Sequence, residues 1–165
     1  MLCYIGVGSN LGNRLKNIKE AILYLKQVKG VTIKRFSPIY ETEPWGLAKG
    51  QREYFNLVLE IACELKPQDL FSSLKDIEKR IGRKPRKIRW SAREIDLDIL
   101  FCDGLIIKDK NLEIPHPLLQ ERFFVLKPLS DLVPHLRHPL FGCEVNAMLA
   151  SLKESGRWRK IEWTS

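Results

Sequence analysis

Nowhere in these 165 residues does an apolar run approach the ~20 residues that a membrane-crossing helix needs. That excludes a helical membrane span. The opening Met-Leu-Cys-Tyr-Ile-Gly-Val-Gly also lacks the basic segment and the long apolar stretch of a secretory signal. The expectation is a cytoplasmic protein with no membrane partner. Cysteine is sparse, at Cys3, Cys63, Cys102 and Cys143, and no two lie close enough to clamp a metal as a CxxC pair. Three of the four sit inside apolar runs, so they are expected as buried free thiols in a reducing compartment. Acidic residues are the scarcer charge: 20 Asp and Glu against 28 Lys and Arg leave a net charge of +8. Such a surplus implies an anionic partner, either nucleic acid or a phosphorylated small molecule. Repeats, low-complexity tracts and interdomain linkers are also missing, so residues 1–165 read as a single domain, expected as a monomer.

Strand and helix patterns alternate along the chain. Leu2–Val7 is a short apolar run ended by Gly8-Ser9-Asn10, a buried strand entering a turn. Leu15, Ile18, Ile22, Leu25 and Val28 then recur at helical spacing, and Gly30 closes that helix. Val31–Phe36 is β-branched and makes a second strand. Tyr54–Leu65 opens another cycle, followed by a helix from Pro67 with Leu70, Leu74, Ile77 and Ile81 on one face and Gly82 as its stop. Ile95–Cys102 is a further strong strand, and a late helix is expected near Glu144–Leu152. Two such cycles predict an α+β fold of the ferredoxin-like kind, a mainly antiparallel sheet with helices packed on it. Glu41–Arg52 and Gly82–Ala92 fit no core-building role and read as functional loops.

The chemistry concentrates in Arg93-Glu94-Ile95-Asp96-Leu97-Asp98-Ile99. Side chains alternate across a strand, so Asp96 and Asp98 share one face, about 7 Å apart, while Ile95, Leu97 and Ile99 take the other. Two such carboxylates repel unless a cation sits between them, and magnesium suits few carboxylates completed by water and phosphate oxygens. Eight basic residues and no acidic one occupy the ends and interior of the stretch from Lys79 to Arg93. Beside the carboxylate pair, that run points to a polyphosphate held between metal and guanidinium groups. Gly6-x-Gly8 does not continue as a dinucleotide fingerprint: the next glycine, Gly12, is one position late, and Ser37-Pro38 stands where a ribose-binding acid would be. It reads instead as a turn that brings backbone and Asn10 to the sheet face. Aromatic residues at Tyr40, Trp45, Tyr54, Phe55, Phe123 and Phe124 accompany the polar Asn56, whose carboxamide suits the edge of a heterocycle. His116, between two prolines, lies on a rigid turn. A single-strand RNA-binding module is the rival reading. The chain lacks an RNP-like Gly-Phe-x-Phe cluster, and the aspartates would repel phosphates on that face.

Taken together, Gly8-Ser9-Asn10-Leu11-Gly12, Tyr40 to Gly46, Tyr54-Phe55-Asn56, Ile77-Glu78 with Gly82-Arg83, Arg89 to Ile99, Ile114 to Pro117 and Arg122 to Phe124 resemble the 6-hydroxymethyl-7,8-dihydropterin pyrophosphokinase family. The resemblance covers almost the whole chain, and Arg-x-x-Asp-x-Asp in this setting is its most specific part. It implies transfer of the pyrophosphoryl unit of ATP to the pterin's hydroxymethyl group, with AMP left behind, in folate biosynthesis. It implies two magnesium ions on Asp96 and Asp98, with Arg83 and Arg93 joining them as catalytic residues. ATP would meet Glu78, Arg83, Trp90, Arg93, Ile99, His116 and Arg122; the pterin would meet Thr42, Trp45, Tyr54, Asn56 and Phe124. Partners are then small molecules, without nucleic acid. Glu43, Ser91 and Pro117 stand where the family usually carries other residues.

Overall fold

In the computed structural model of the chain, residues 1–45, 50–84, 91–153 and 155–163 are described. The first half builds β1 (Leu2–Ser9), α1 (Arg14–Lys26), β2 (Val31–Phe36), β3 (Ile39–Thr42), β4 (Tyr54–Cys63) and α2 (Pro67–Ile81). The second half adds β5 (Asp96–Cys102), β6 (Ile107–Lys108), β7 (Glu113–Ile114), α3 (Phe123–Leu132), α4 (Val145–Ser151) and β8 (Trp158–Ile161). Strands run in the order β5-β1-β4-β3-β8, every pair antiparallel, with β2 also on β4. The ten-residue β4 serves two partners: β2 pairs with its second half and β3 with its first. Ser37-Pro38 divides those two strands, and the Ser37 hydroxyl accepts the Val58 N–H at 2.9 Å. The α+β, ferredoxin-like expectation holds.

Period-two alternation sorts the side chains into two layers. Ile5 and Val7, Leu57, Leu59 and Ile61, and Leu97 and Ile99 face α1 and α2 in one core. On α2, Leu70 and Leu74 are fully buried and Ile77 nearly so. Burying such a side chain contributes ~1.5–3 kcal/mol, and truncating Leu74 to Ala would cost about 2–5 kcal/mol. Pro67 fits the first helical turn, where no N–H is needed, and Gly82 closes the helix at φ 107°, a left-handed conformation that favours glycine. Tyr4, Val58, Leu100 and Phe101 form a second core on the opposite face, against α3 and α4. Of that layer the sequence anticipated the late helix, expected near Glu144–Leu152 and found as α4, but not α3, whose internal Pro128 disguises the helix; β8 is a short charged strand that was not singled out either. Among the described residues, part of the opposite face stays uncovered, and the candidate site lies there.

The cysteine expectation needs correction. Cys3 and Cys102 are disulfide-bonded, 99 positions apart in sequence. β1 and β5 are neighbours in register, with Cys3 directly opposite Cys102 and their Cα atoms 4.1 Å apart, a juxtaposition set by topology and invisible to sequence spacing. Cys63 and Cys143 are free thiols, as expected.

Candidate active site

Towards the site, the middle strand presents two glycines in place of side chains. β1 lies between β4 and β5, so Gly8 stands opposite both Asn56 and Asp96, and Gly6 opposite both Val58 and Asp98. A Cβ on Gly8 would come within 3.1 Å of Asn56 Oδ1, and one on Gly6 within 3.2 Å of Leu100 Cδ2. The two glycines therefore form the floor of a trough whose walls are β5 and β4. The resulting cavity, about 320 Å³, also receives Trp45, His116, Arg122 and Phe124 from outside the sheet.

The β5 wall is ionic. Arg83 Nη1 donates to Asp96 Oδ1 at 2.7 Å and Arg93 Nη1 to Asp96 Oδ2 at 2.8 Å, so two guanidinium groups hold one carboxylate. Arg83 also pairs with Glu78. Lys75 Nζ lies 3.5 Å from Asp98 Oδ1. Burial works against ionisation of Asp98, but the charges of Lys75, then His116, Arg122 and Arg83, outweigh it and hold the carboxyl below the usual range. Asp98 is thus kept ionised and available to a cation.

Glu78 lies behind this wall, only 2% exposed. Its Oε1 accepts the Leu97 N–H at 2.7 Å and Lys75 Nζ at 2.8 Å, while Lys75 donates again to the Leu97 carbonyl at 2.9 Å. Burial pushes the Glu78 carboxyl up, and neighbouring Asp96 adds to this against the pull of Lys75 and Arg83. Glu78 does not line the cavity; it fixes the β5 backbone and Arg83. Ile99 likewise points away, 3% exposed in the α1/α2 core, and Leu100 occupies the cavity wall instead. Trp90 falls outside the described residues. His116 does reach the cavity: its backbone N–H is held by the Leu100 carbonyl at 3.0 Å, and its Nδ1 accepts from Leu118 N at 3.3 Å. Burial depresses the His116 pKa, which favours the neutral ring, and Nδ1 as acceptor leaves the proton on Nε2.

The β4 wall is aromatic and neutral. Asn56 Nδ2 donates to Thr42 Oγ1 at 2.8 Å, which orients the carboxamide and leaves its Oδ1 over Gly8. Thr42 supports Asn56 from behind rather than lining the cavity. Tyr54, Trp45 and Phe124 stand around the same end, with the Arg122 guanidinium 5.2 Å from the Trp45 ring and 5.7 Å from the Phe124 ring. Asn10 joins the two walls. Its Oδ1 accepts the Arg93 N–H at 2.7 Å, and its Nδ2 donates to Gln51 and to the Arg52 carbonyl. The turn after β1 therefore brings Asn10 to the site, as its sequence suggested.

The sequence reading of Gly6-x-Gly8 as a turn needs correction, since both glycines lie inside β1 and only the residues after Ser9 turn; Lys75 was passed over. Gly6 and Gly8 do carry a signal, two glycines at period two inside an apolar strand, which marks close approach by something else. Lys75 had no comparable signal, because a lysine on an amphipathic helix normally faces solvent.

Residues 4–134 match the model of the 7,8-dihydro-6-hydroxymethylpterin-pyrophosphokinase family, abbreviated HPPK. The chain is 39% identical over 138 residues to a 2-amino-4-hydroxy-6-hydroxymethyldihydropteridine pyrophosphokinase of Aquifex aeolicus, covering 84% of each. It is 39% identical over 145 residues to the protein of that name from Bacillus subtilis, covering 88% of this chain and 86% of that one. Its fold superposes on a crystal structure of Plasmodium falciparum wild-type HPPK-DHPS with pteroate at a TM-score of 0.72 and 16% identity, over 90% of this chain and 42% of that one. The trough of paired aspartates, arginines and an aromatic wall therefore lies within the span of the family match, and the chain belongs to the 7,8-dihydro-6-hydroxymethylpterin-pyrophosphokinase family.

Proposed function

We propose that the two walls of this trough divide the family's reaction between them. The β,γ-pyrophosphoryl unit of ATP passes from the β5 wall to the hydroxymethyl oxygen of 6-hydroxymethyl-7,8-dihydropterin held on the β4 wall, in folate synthesis. The acceptor hydroxyl oxygen forms a bond to the β-phosphorus and its proton is released to solvent, while the bond from that phosphorus to the α,β-bridging oxygen breaks and AMP leaves carrying that oxygen. The observation that carries this reading is the placing of Asp96 and Asp98 on one strand face, across two glycines from Asn56.

Among the described residues no cluster of three or more Asp, Glu, His or Cys side chains is arranged to hold a metal. Two carboxylates alone fit magnesium, which keeps water and phosphate oxygens as its other ligands, and Asp96 and Asp98 would hold two such ions. Bound there, magnesium supplies neutralisation of the triphosphate and polarisation of the phosphorus under attack. The chain's own residues do the rest. Arg83 and Arg93, which balance Asp96, would bind phosphate oxygens as charge redistributes, a role their pairing beside the aspartates supports. His116, with a proton on Nε2, donates to the nucleotide. Asn56 Oδ1 accepts from the pterin's polar edge, and Tyr54, Trp45 and Phe124 cover its faces. Water competes as acceptor, and the two loops read from the sequence as its excluders, Glu41–Arg52 and Gly82–Ala92, fall partly outside the described residues.

The test is product analysis with MgATP and the reduced hydroxymethylpterin. AMP and the pterin diphosphate are expected, with no ADP. Formation of ADP would overturn the pyrophosphoryl assignment.

A further inference from the structure

β8 lies beyond residues 4–134, and it is built onto the acceptor side of the trough alone. It extends the sheet past β3, with Thr42 opposite Trp158, Glu41 opposite Arg159 and Tyr40 opposite Lys160. The pairing continues beyond the strand, since the Glu43 N–H donates to the Arg157 carbonyl at 3.3 Å and Glu43 Oε2 accepts the Arg157 N–H at 3.2 Å. The Arg157 guanidinium also pairs with Glu43, a residue of the cavity wall, and Arg159 pairs with Glu41. Trp158 packs tilted on Phe123 at 5.4 Å and edge-on to Tyr40 at 5.7 Å between ring centroids.

These contacts fall at or beside the acceptor positions: Trp158 is opposite Thr42 itself. Glu41 and Glu43 flank Thr42, Tyr40 is opposite Asn56, and Phe123 precedes Phe124. Among the described residues, the strand pairings, ion pairs and ring contacts of β8 do not reach Asp96, Asp98, Arg83 or His116 on the nucleotide side.

We infer that β8 is a positioning element for the acceptor, with Trp158 as its principal residue: it fixes the spacing between the Thr42–Asn56 edge and the Phe124 ring, and so sets how tightly a flat heterocycle is held. The inference rests on the proposed assignment of the β4 wall to the pterin. Exposed ion pairs such as Arg157–Glu43 contribute little on their own, so the aromatic wedge and the ladder bonds carry the effect. Trp158 is 45% exposed, so removing its ring should leave the core intact.

The test measures two dissociation constants by calorimetry for Trp158→Ala and Arg157→Ala: that of a non-hydrolysable MgATP analogue, and that of the pterin in its presence. Trp158→Ala is expected to weaken pterin binding about fivefold, the effect of losing ~1 kcal/mol of aromatic packing, with the analogue's constant unchanged within about twofold. Arg157→Ala is expected to move neither by more than about twofold. Trp158→Phe, which keeps a ring, should restore most of the pterin affinity. Equal weakening of both ligands, or unchanged pterin binding in Trp158→Ala, would overturn the inference. If the unsubstituted protein binds the analogue but no pterin, the functional assignment fails instead.

Discussion

Replacing Gly8 by Ala tests the trough at its narrowest point. Gly8 lies in an extended strand and is not one of the left-handed glycines, so alanine's backbone is tolerated there. The added methyl is the whole perturbation, and it would stand 3.1 Å from Asn56 Oδ1, closer than ordinary van der Waals contact. The carboxamide cannot swing away freely, because Asn56 is only 5% exposed and its Nδ2 is bonded to Thr42 Oγ1 at 2.8 Å. Overpacking of this kind costs about 1–3 kcal/mol, and that strain falls on the group proposed to read the pterin. Pterin affinity should therefore drop by roughly 5- to 150-fold. Affinity for a non-hydrolysable MgATP analogue should change by less, since Asp96 is opposite Gly8 but held by two arginines from its far side. Calorimetric titration of both ligands, alongside a melting curve, separates the outcomes. If the variant bound pterin as well as the parent protein does, the glycine floor would not be what shapes the acceptor site.

Asp96→Ala and Asp98→Ala should each lose most turnover, on the order of several kcal/mol in the barrier, and near-normal rates in product assays would remove both from the metal site. Replacing Cys3 and Cys102 together by Ser should lower the melting temperature by roughly 5–15 °C, because a cross-link closing so long a loop typically contributes 2–4 kcal/mol; an unchanged melting temperature would count against it. His138 is 2% exposed, and burial depresses its pKa. Its folded value lies below the unfolded value of about 6.5, so the stability it contributes is present above that pH and is lost as pH falls through the folded value. Melting temperature should then decline from pH 7.5 towards 5 and decline less in His138→Gln, with His116 retaining its own share. Equal slopes would refute this.

The sequence made β5 legible because period two separates Asp96 and Asp98 from Ile95 and Leu97 without ambiguity. The same rule misplaces nothing until the bulge between Tyr4 and Ile5, where the register shifts and Leu100 and Phe101 both end on the α3 face. A bulge is a local backbone event with no residue signature of its own here. α2 was readable from its Pro67 start and Gly82 stop, features that depend only on nearby chain, and α1 from its apolar spacing, although it ends at Lys26 with Gln27 as its cap, ahead of the expected Gly30. β8 and the disulfide were not readable, since both arise from which strands become neighbours. Glu78 was identified as a residue near the nucleotide, but its burial beneath Leu97 depends on how α2 crosses β5, which spacing does not encode.

The bonds that Glu78, Lys75 and His116 make to β5 have a further consequence, for solubility. β5 is the last strand of the sheet, and an edge strand normally offers its outward N–H and C=O groups to any passing extended chain. Here the Leu97 N–H and C=O and the Leu100 C=O are already taken, by Glu78, Lys75 and the His116 backbone. At the opposite edge β8 displays Arg159 and Lys160, whose like charges oppose edge-to-edge approach. The groups that hold the aspartate strand in place thereby also cap one end of the sheet. Glu78→Ala should accordingly raise light scattering on concentration as well as disturbing Arg83, so that catalysis and colloidal behaviour in this protein share a residue.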